Sequence, residues 1–107
     1  MGATTEPGLV ILADFKARPG ERDRLVAALT AMIAPSESEA GCIGYRPMQD
    51  PNDEDAVAIV ERWVDEAALE EHFETPHFKR VAIVLEELLA EPFKLTRLAP
   101  IPESASS

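Results

Sequence analysis

Residues 59–79 read Ile-Val-Glu-Arg-Trp-Val-Asp-Glu-Ala-Ala-Leu-Glu-Glu-His-Phe-Glu-Thr-Pro-His-Phe-Lys, and their hydrophobic period changes halfway along. Val57, Ile59, Glu61 and Trp63 alternate as on one face of a strand, whereas Leu69, His72 and Phe73 share a helical stripe. The stretch holds the only tryptophan and both histidines of the chain. A strand carrying an acid and an indole thus runs straight into a helix carrying imidazole. That order can set an acid, an aromatic wall and a base around one cavity.

Working outward, residues 56–64 predict a strand, and residues 42–49 a second one joined to it through a longish hydrophilic loop at 50–55. Upstream, residues 8–17 predict a strand and Arg18-Pro19-Gly20 a turn. Leu25, Ala28, Leu29, Met32 and Ile33 then follow the spacing of one apolar helix stripe, which Pro35 kinks or breaks. That helix fades through residues 36–40, and Gly41 suits a left-handed position beyond its end. Downstream, Asp65 is a good N-cap for a helix from Glu66, and Thr75-Pro76 interrupts that helix and restarts it. Phe78, Val81, Leu85, Leu88 and Leu89 supply its second stripe, Pro92 stops it, and residues 93–98 form a last strand. The order is β-α-β-β-α-β with a broken second helix, an α+β fold of ferredoxin-like type with both helices on one face of an antiparallel sheet.

The other face of that sheet carries its own inference. Leu9-Val-Ile-Leu-Ala and Ala56-Val-Ala-Ile-Val are apolar at consecutive positions, where a sheet with one wetted face alternates. Leu9, Ile11, Val57 and Ile59 form one apolar face and Val10, Leu12, Ala58 and Val60 the other, and two helices cover only one. The pattern therefore predicts a homodimer, packed sheet against sheet about a two-fold axis.

At 107 residues the chain is expected to be a single domain, residues 1–107, with a core at about 8–99 and frayed tails at 1–7 and 100–107. Ten basic against twenty acidic residues give a formal charge of −10, which sets aside nucleic acid and membrane surfaces as partners. One cysteine, Cys42, cannot close an internal disulfide and favours a reducing compartment. The start lacks a basic and an apolar leader region, and no apolar run approaches about 18 residues, so a cytoplasmic location is expected.

Glu61 among Val57, Ile59 and Trp63 is costly to bury unless a wet pocket or a partner such as Arg46 receives it. His72, next to Phe73, faces inward from its helix, and His77 stands at the second position of the restarted helix, where the N-terminal dipole disfavours an imidazolium. Either is a candidate general base. Tyr45 can aim its hydroxyl into the same cavity, and Phe73 and Phe78 extend the aromatic lining contributed by Trp63. His72 and His77 are five apart with a proline between them, unlike the pair of a zinc helix, and no third ligand is evident, so no metal is expected. No nucleotide-binding fingerprint occurs, so no nucleotide cofactor is expected either.

Taken together, Gly41-Cys42-x-Gly44-Tyr45-x-Pro47-Met48-x-Asp50, Ile59-Val60-Glu61-x-Trp63 and Leu69-Glu70-x-His72-x-x-Thr75-Pro76-His77-x-Lys79 resemble the antibiotic biosynthesis monooxygenase domain, in its small quinol monooxygenase-like branch. The opening Phe15-Lys-Ala-Arg-Pro-Gly20 fits as well, so the likeness spans about residues 9–98. The resemblance implies a dimeric α+β barrel with an apolar pocket in each subunit between sheet and helices. It implies oxygenation of a quinol, catechol or related phenol by dioxygen without metal or flavin. His72 and His77 match as catalytic positions, and Tyr45, Glu61 and Trp63 as pocket positions. The fold also hosts isomerases of small oxygenated metabolites and non-catalytic ligand-binding or stress proteins, which stand as the alternatives. A haem-degrading role is disfavoured, because the first strand has no Asn.

Overall fold

Leu9–Lys16 form a strand, β1, whose odd-numbered residues are buried and which is paired on both edges in the computed structural model, which describes residues 7–102. Its partners are β3 (Asp53–Trp63) and β4 (Lys94–Leu98), while β2 (Cys42–Asp50) lies outside β3. The sheet has four antiparallel strands in the order β2-β3-β1-β4. With helices after β1 and β3, this is the ferredoxin-like arrangement. Parts of the expected tails, residues 1–6 and 103–107, lie outside the described residues.

Both helical connections are broken. The first consists of α1 (Arg22–Thr30) and α2 (Ile33–Glu37), with the break at Ala31–Met32 and not at Pro35. A proline ring clashes with the carbonyl four residues earlier, here Ala31, so the chain yields one turn upstream and Pro35 sits in the first turn of α2. The second consists of α3 (Glu66–Phe73) and α4 (Pro76–Leu88). Asp65 caps α3 by accepting from the Ala68 amide at 2.9 Å, and Thr75 caps α4 by accepting from the Phe78 amide at 3.2 Å, with Pro76 in the first turn. Helix α4 ends at Leu88, before Pro92, because Leu89 turns extended and bridges to Ala17.

Two further expectations are corrected. The hairpin between β2 and β3 turns through Pro51-Asn52 alone, since Asp53 to Asp55 already belong to β3. The acidic run is tied down by one local and one long-range contact: the Asp50 carboxylate accepts from the Asn52 amide at 2.8 Å, and Asp53 pairs with Lys16. Gly41 is not left-handed; among the described glycines only Gly20 has a positive φ, of 85°. Gly41 is required for close approach instead, because a Cβ there would lie 2.3 Å from the Ala68 Cβ.

The helices cover the face that carries Leu9, Ile11, Ala13 and Phe15 with Val57, Ile59, Glu61 and Trp63, all buried. Against them pack Leu25 and Leu29 of α1, Leu69 of α3, and Leu85 and Leu88 of α4. The opposite face, with Val10, Leu12, Ala58 and Val60, has no helix over it, and Met48 and Leu98 on the same sheet are half exposed. No described helix is long and apolar enough to cross a membrane.

Gly41→Ala is expected to lower stability by about 1–3 kcal/mol. Gly44→Ala serves as the comparison, since its added methyl meets only the Arg62 side chain, at 3.5 Å. Urea unfolding should show a lower midpoint at unchanged slope for Gly41→Ala and a smaller change for Gly44→Ala.

Candidate functional site

Period-two alternation puts Glu61 and Trp63 on the helix-covered face of β3, and Tyr45, opposite Glu61 in the register, on the same face of β2. Arg46 is the next residue along β2 and so points to the other face; it is exposed and is not the partner of Glu61. The partner is the indole: Trp63 Nε1 donates to Glu61 Oε1 at 3.0 Å. Burial, opposed by that hydrogen bond, pushes the Glu61 carboxyl up to about 7. Burial likewise pushes the Tyr45 phenol well above its ordinary range, with the Glu61 charge adding to the effect. Ser36 Oγ, fully buried, lies beside that phenol without reaching hydrogen-bonding geometry.

His72 comes down from α3 into this assembly. Its ring centroid lies 4.7 Å from Trp63, 5.8 Å from Tyr45 and 5.3 Å from Phe78, and it is 1 % exposed. The helix break brings the next segment back over it, because Thr75 Oγ1 donates to the His72 carbonyl at 2.7 Å while capping α4. Phe73 and Phe78, from the two sides of the break, meet as tilted rings with centroids 5.0 Å apart.

Residue Glu39 completes the site. Its Oε2 lies 2.7 Å from His72 Nδ1 and 2.6 Å from His77 Nε2. A carboxylate oxygen only accepts, so both rings donate, and a neutral His72 keeps its lone pair on Nε2. Burial lowers the His72 pKa, and the Glu39 carboxylate opposes that shift. Sequence reasoning missed Glu39, which lies in the segment read as the fading end of a helix. The signal available was the pairing of the two strands. Cys42 opposite Trp63 places the residues just before β2 beside the helix that follows β3, where the histidines reside.

Tyr45, Glu61, His72, Phe73 and Phe78 line one cavity between sheet and helices, together with apolar residues that include Phe93 and Leu95. Its volume is about 20 Å³, room for a single water. Trp63 is not a wall of this cavity: it is fully buried behind the His72 ring. His77 also stands outside the lining and joins the site through Glu39, on the more exposed side. Glu39, His72 and His77 offer three ligand atoms within 4.8 Å of one another, so the third metal donor not evident in the sequence is present in space. Cys42 is held away from reactivity, since burial and neighbouring carboxylates push its thiol up to about 11.

The model of the antibiotic biosynthesis monooxygenase family matches residues 8–82. The putative monooxygenase Rv0793 of Mycobacterium tuberculosis is 35% identical over 98 residues, covering 92% of this chain and 96% of that protein. The probable quinol monooxygenase YgiN of Escherichia coli K12 is 36% identical over 81 residues, covering 66% and 78%. A crystal structure of PA3566 from Pseudomonas aeruginosa superposes with a TM-score of 0.84 at 36% identity, covering 94% of this chain and all of that one. The chain spans 59% of the length of another relative, sll1783 of Synechocystis, which carries no assigned activity.

The Glu61 carboxyl makes a pH prediction whose sign follows from its raised pKa. The folded protein holds this proton to about pH 7, and the unfolded chain loses it near 4.5, so stability falls as pH rises through that window. The loss is expected to be on the order of 3 kcal/mol, and Glu61→Gln should flatten it. In the folded protein, fluorescence of Trp63, whose indole bonds this carboxyl, should titrate around the folded-state value of about 7; a flat profile there would exclude the assignment.

Proposed function

The chain belongs to the antibiotic biosynthesis monooxygenase family, and from that premise we propose that it oxygenates a quinol, catechol or related phenol with dioxygen, using neither metal nor flavin. The observation that carries this reading is the His72 imidazole, buried in an aromatic cavity with one nitrogen donating to Glu39 and the other left as an acceptor. Such a group takes the proton from a phenolic hydroxyl. The resulting electron-rich anion passes one electron to dioxygen, and the semiquinone and superoxide recombine at a ring carbon. Loss of water from the peroxide leaves the quinone. One oxygen atom enters the ring, the other leaves as water, and all four electrons come from the substrate.

Each residue has a part in this scheme. Phe73 and Phe78 contact the ring of the substrate, Tyr45 donates to its second oxygen, and Glu61, protonated up to about pH 7, can return a proton to the peroxide. Trp63 acts from behind, holding Glu61 by its indole N–H and His72 by a tilted ring contact. His77 shares Glu39 with His72 and is a positioning residue, not the base. A cavity of about 20 Å³ does not admit a phenol ring, which needs roughly 150 Å³. Substrate entry therefore displaces side chains of the lining, among them Phe73 and Phe78, which are only partly buried and stand on either side of the helix break.

A homodimer belongs to the same proposal. Val10, Leu12, Ala58 and Val60 form an apolar sheet surface that lacks helical cover, and a second copy packed on it would remove that surface from water. Sedimentation at micromolar concentration is expected to give twice the chain mass, and Val60→Asp to give monomer; a wild-type monomer would remove the dimer from the proposal.

Oxygen uptake with a panel of hydroquinones and catechols, run in air and under nitrogen, tests the activity. His72→Ala is expected to lose at least tenfold in rate while staying folded, as fits the ~10²–10⁴-fold contribution of a general base. Substrate conversion that proceeds equally well under nitrogen would point to isomerisation, and binding without turnover to a ligand carrier.

A further inference from the structure

We infer that Glu39, His72 and His77 form a binding site for a borderline-soft divalent transition metal, of the class of Zn²⁺ or Co²⁺. Two imidazole nitrogens and one carboxylate converge from three segments of the chain: the approach to β2, the last turn of α3 and the first turn of α4. Two histidines and one carboxylate are a ligand set that suits such metals, whereas Mg²⁺ and Ca²⁺ require mainly oxygen donors. The three donors come from side chains that are buried or nearly so, with the Glu39 and His77 side chains 13% and 17% exposed. That leaves an entry for the ion and a position for water as its fourth ligand.

In the structure the two nitrogens reach the same carboxylate oxygen at 2.7 and 2.6 Å, which are hydrogen-bond lengths. A metal bound at about 2.0–2.1 Å holds neighbouring ligand atoms about 3.3 Å apart in a tetrahedron. The N···O edges thus widen by about 0.6 Å as the ion replaces the two shared protons. Glu39, in the loop before β2, and His77, at a helix start, are placed to make that adjustment. The formal charge of −10 favours accumulation of cations at the surface.

The site has a consequence for catalysis, and this part rests on the reading of His72 as the base. Metal on His72 Nδ1 obliges a neutral ring to carry its proton on Nε2, so the nitrogen left to accept a substrate proton is lost. The metal is therefore a competitor of the oxygenase reaction, not its cofactor.

Metal binding is read without substrate, by titrating the folded protein with Co²⁺ and following visible absorbance, then displacing it with Zn²⁺. One Co²⁺ per chain is expected, with tetrahedral-type bands and no displacement by millimolar Mg²⁺. Glu39→Gln and His77→Asn should each weaken binding at least tenfold with unchanged circular dichroism, and Cys42→Ser should leave it intact. Binding that is absent, or that survives Glu39→Gln and His77→Asn, would overturn the site. Zn²⁺ should also suppress any oxygen uptake and a chelator restore it. Lack of oxygen uptake would count against the oxygenase reading and leave the metal titration to decide the site.

Discussion

A single carboxylate oxygen, Glu39 Oε2, receives both histidines of the chain, and the local architecture is arranged around that double contact. It ties the segment before β2 to the last turn of α3 and the first turn of α4. It thus links the two halves of the broken helix to one another and to the start of β2, while Leu69, Leu85 and Leu88 pack that helix on the sheet. The charge would be costly at such a depth without donors, and two imidazole N–H groups supply them. Because one oxygen holds both rings, their orientations are coupled, and the tautomer of His72 follows from the carboxylate that it faces.

The helix break is the second half of this arrangement. A continuous helix from Glu66 to Leu88 would carry His77 on past His72. The Thr75 hydroxyl ends one helix by donating to the His72 carbonyl and begins the next by accepting from the Phe78 amide. Pro76 fits the first turn, where no amide hydrogen is needed. The same residues that break the helix therefore return His77 toward His72, with ring centroids 5.9 Å apart, and set Phe78 against Phe73. Behind them the pairing of Trp63 with Glu61 gives a buried acid one donor, yet burial still dominates and the carboxyl stays protonated to about pH 7. The site thus holds an acceptor nitrogen and a proton-bearing acid lining one small cavity.

Much of the fold was legible in the residues alone. Apolar runs and alternation between turn signals located all four strands, and the Asp65 and Thr75-Pro76 signals located the starts of α3 and α4, because caps and strand faces are set by neighbours within a few positions. The expectations that failed depended on distant contacts or on a choice among local solutions. Gly41 was read as a left-handed terminator, but its need is the approach of Ala68 across the fold. Pro35 was read as the break, but the chain relieves its clash one turn earlier, at Ala31–Met32. The acidic run at 50–55 was read as an open loop, but half of it extends β3, with Asp53 paired to Lys16.

For the site, sequence by itself determined which residue types were available and on which face each would stand: Glu61, Trp63 and Tyr45 on the covered face of the sheet, His72 inward from its helix. Local periodicity is enough for that, since a strand side chain has only two directions and a helical one a narrow arc. Only the tertiary structure decided the pairings. That Glu61 meets Trp63 and not Arg46, that Trp63 stands behind His72 and not at the cavity wall, and that Glu39 joins the two histidines all follow from contacts between separate segments. Glu39 lies 33 and 38 residues from its two partners, and nothing in its own neighbourhood marks it. Its position depends on the β2–β3 register, a long-range constraint that becomes definite only when the whole sheet is assembled.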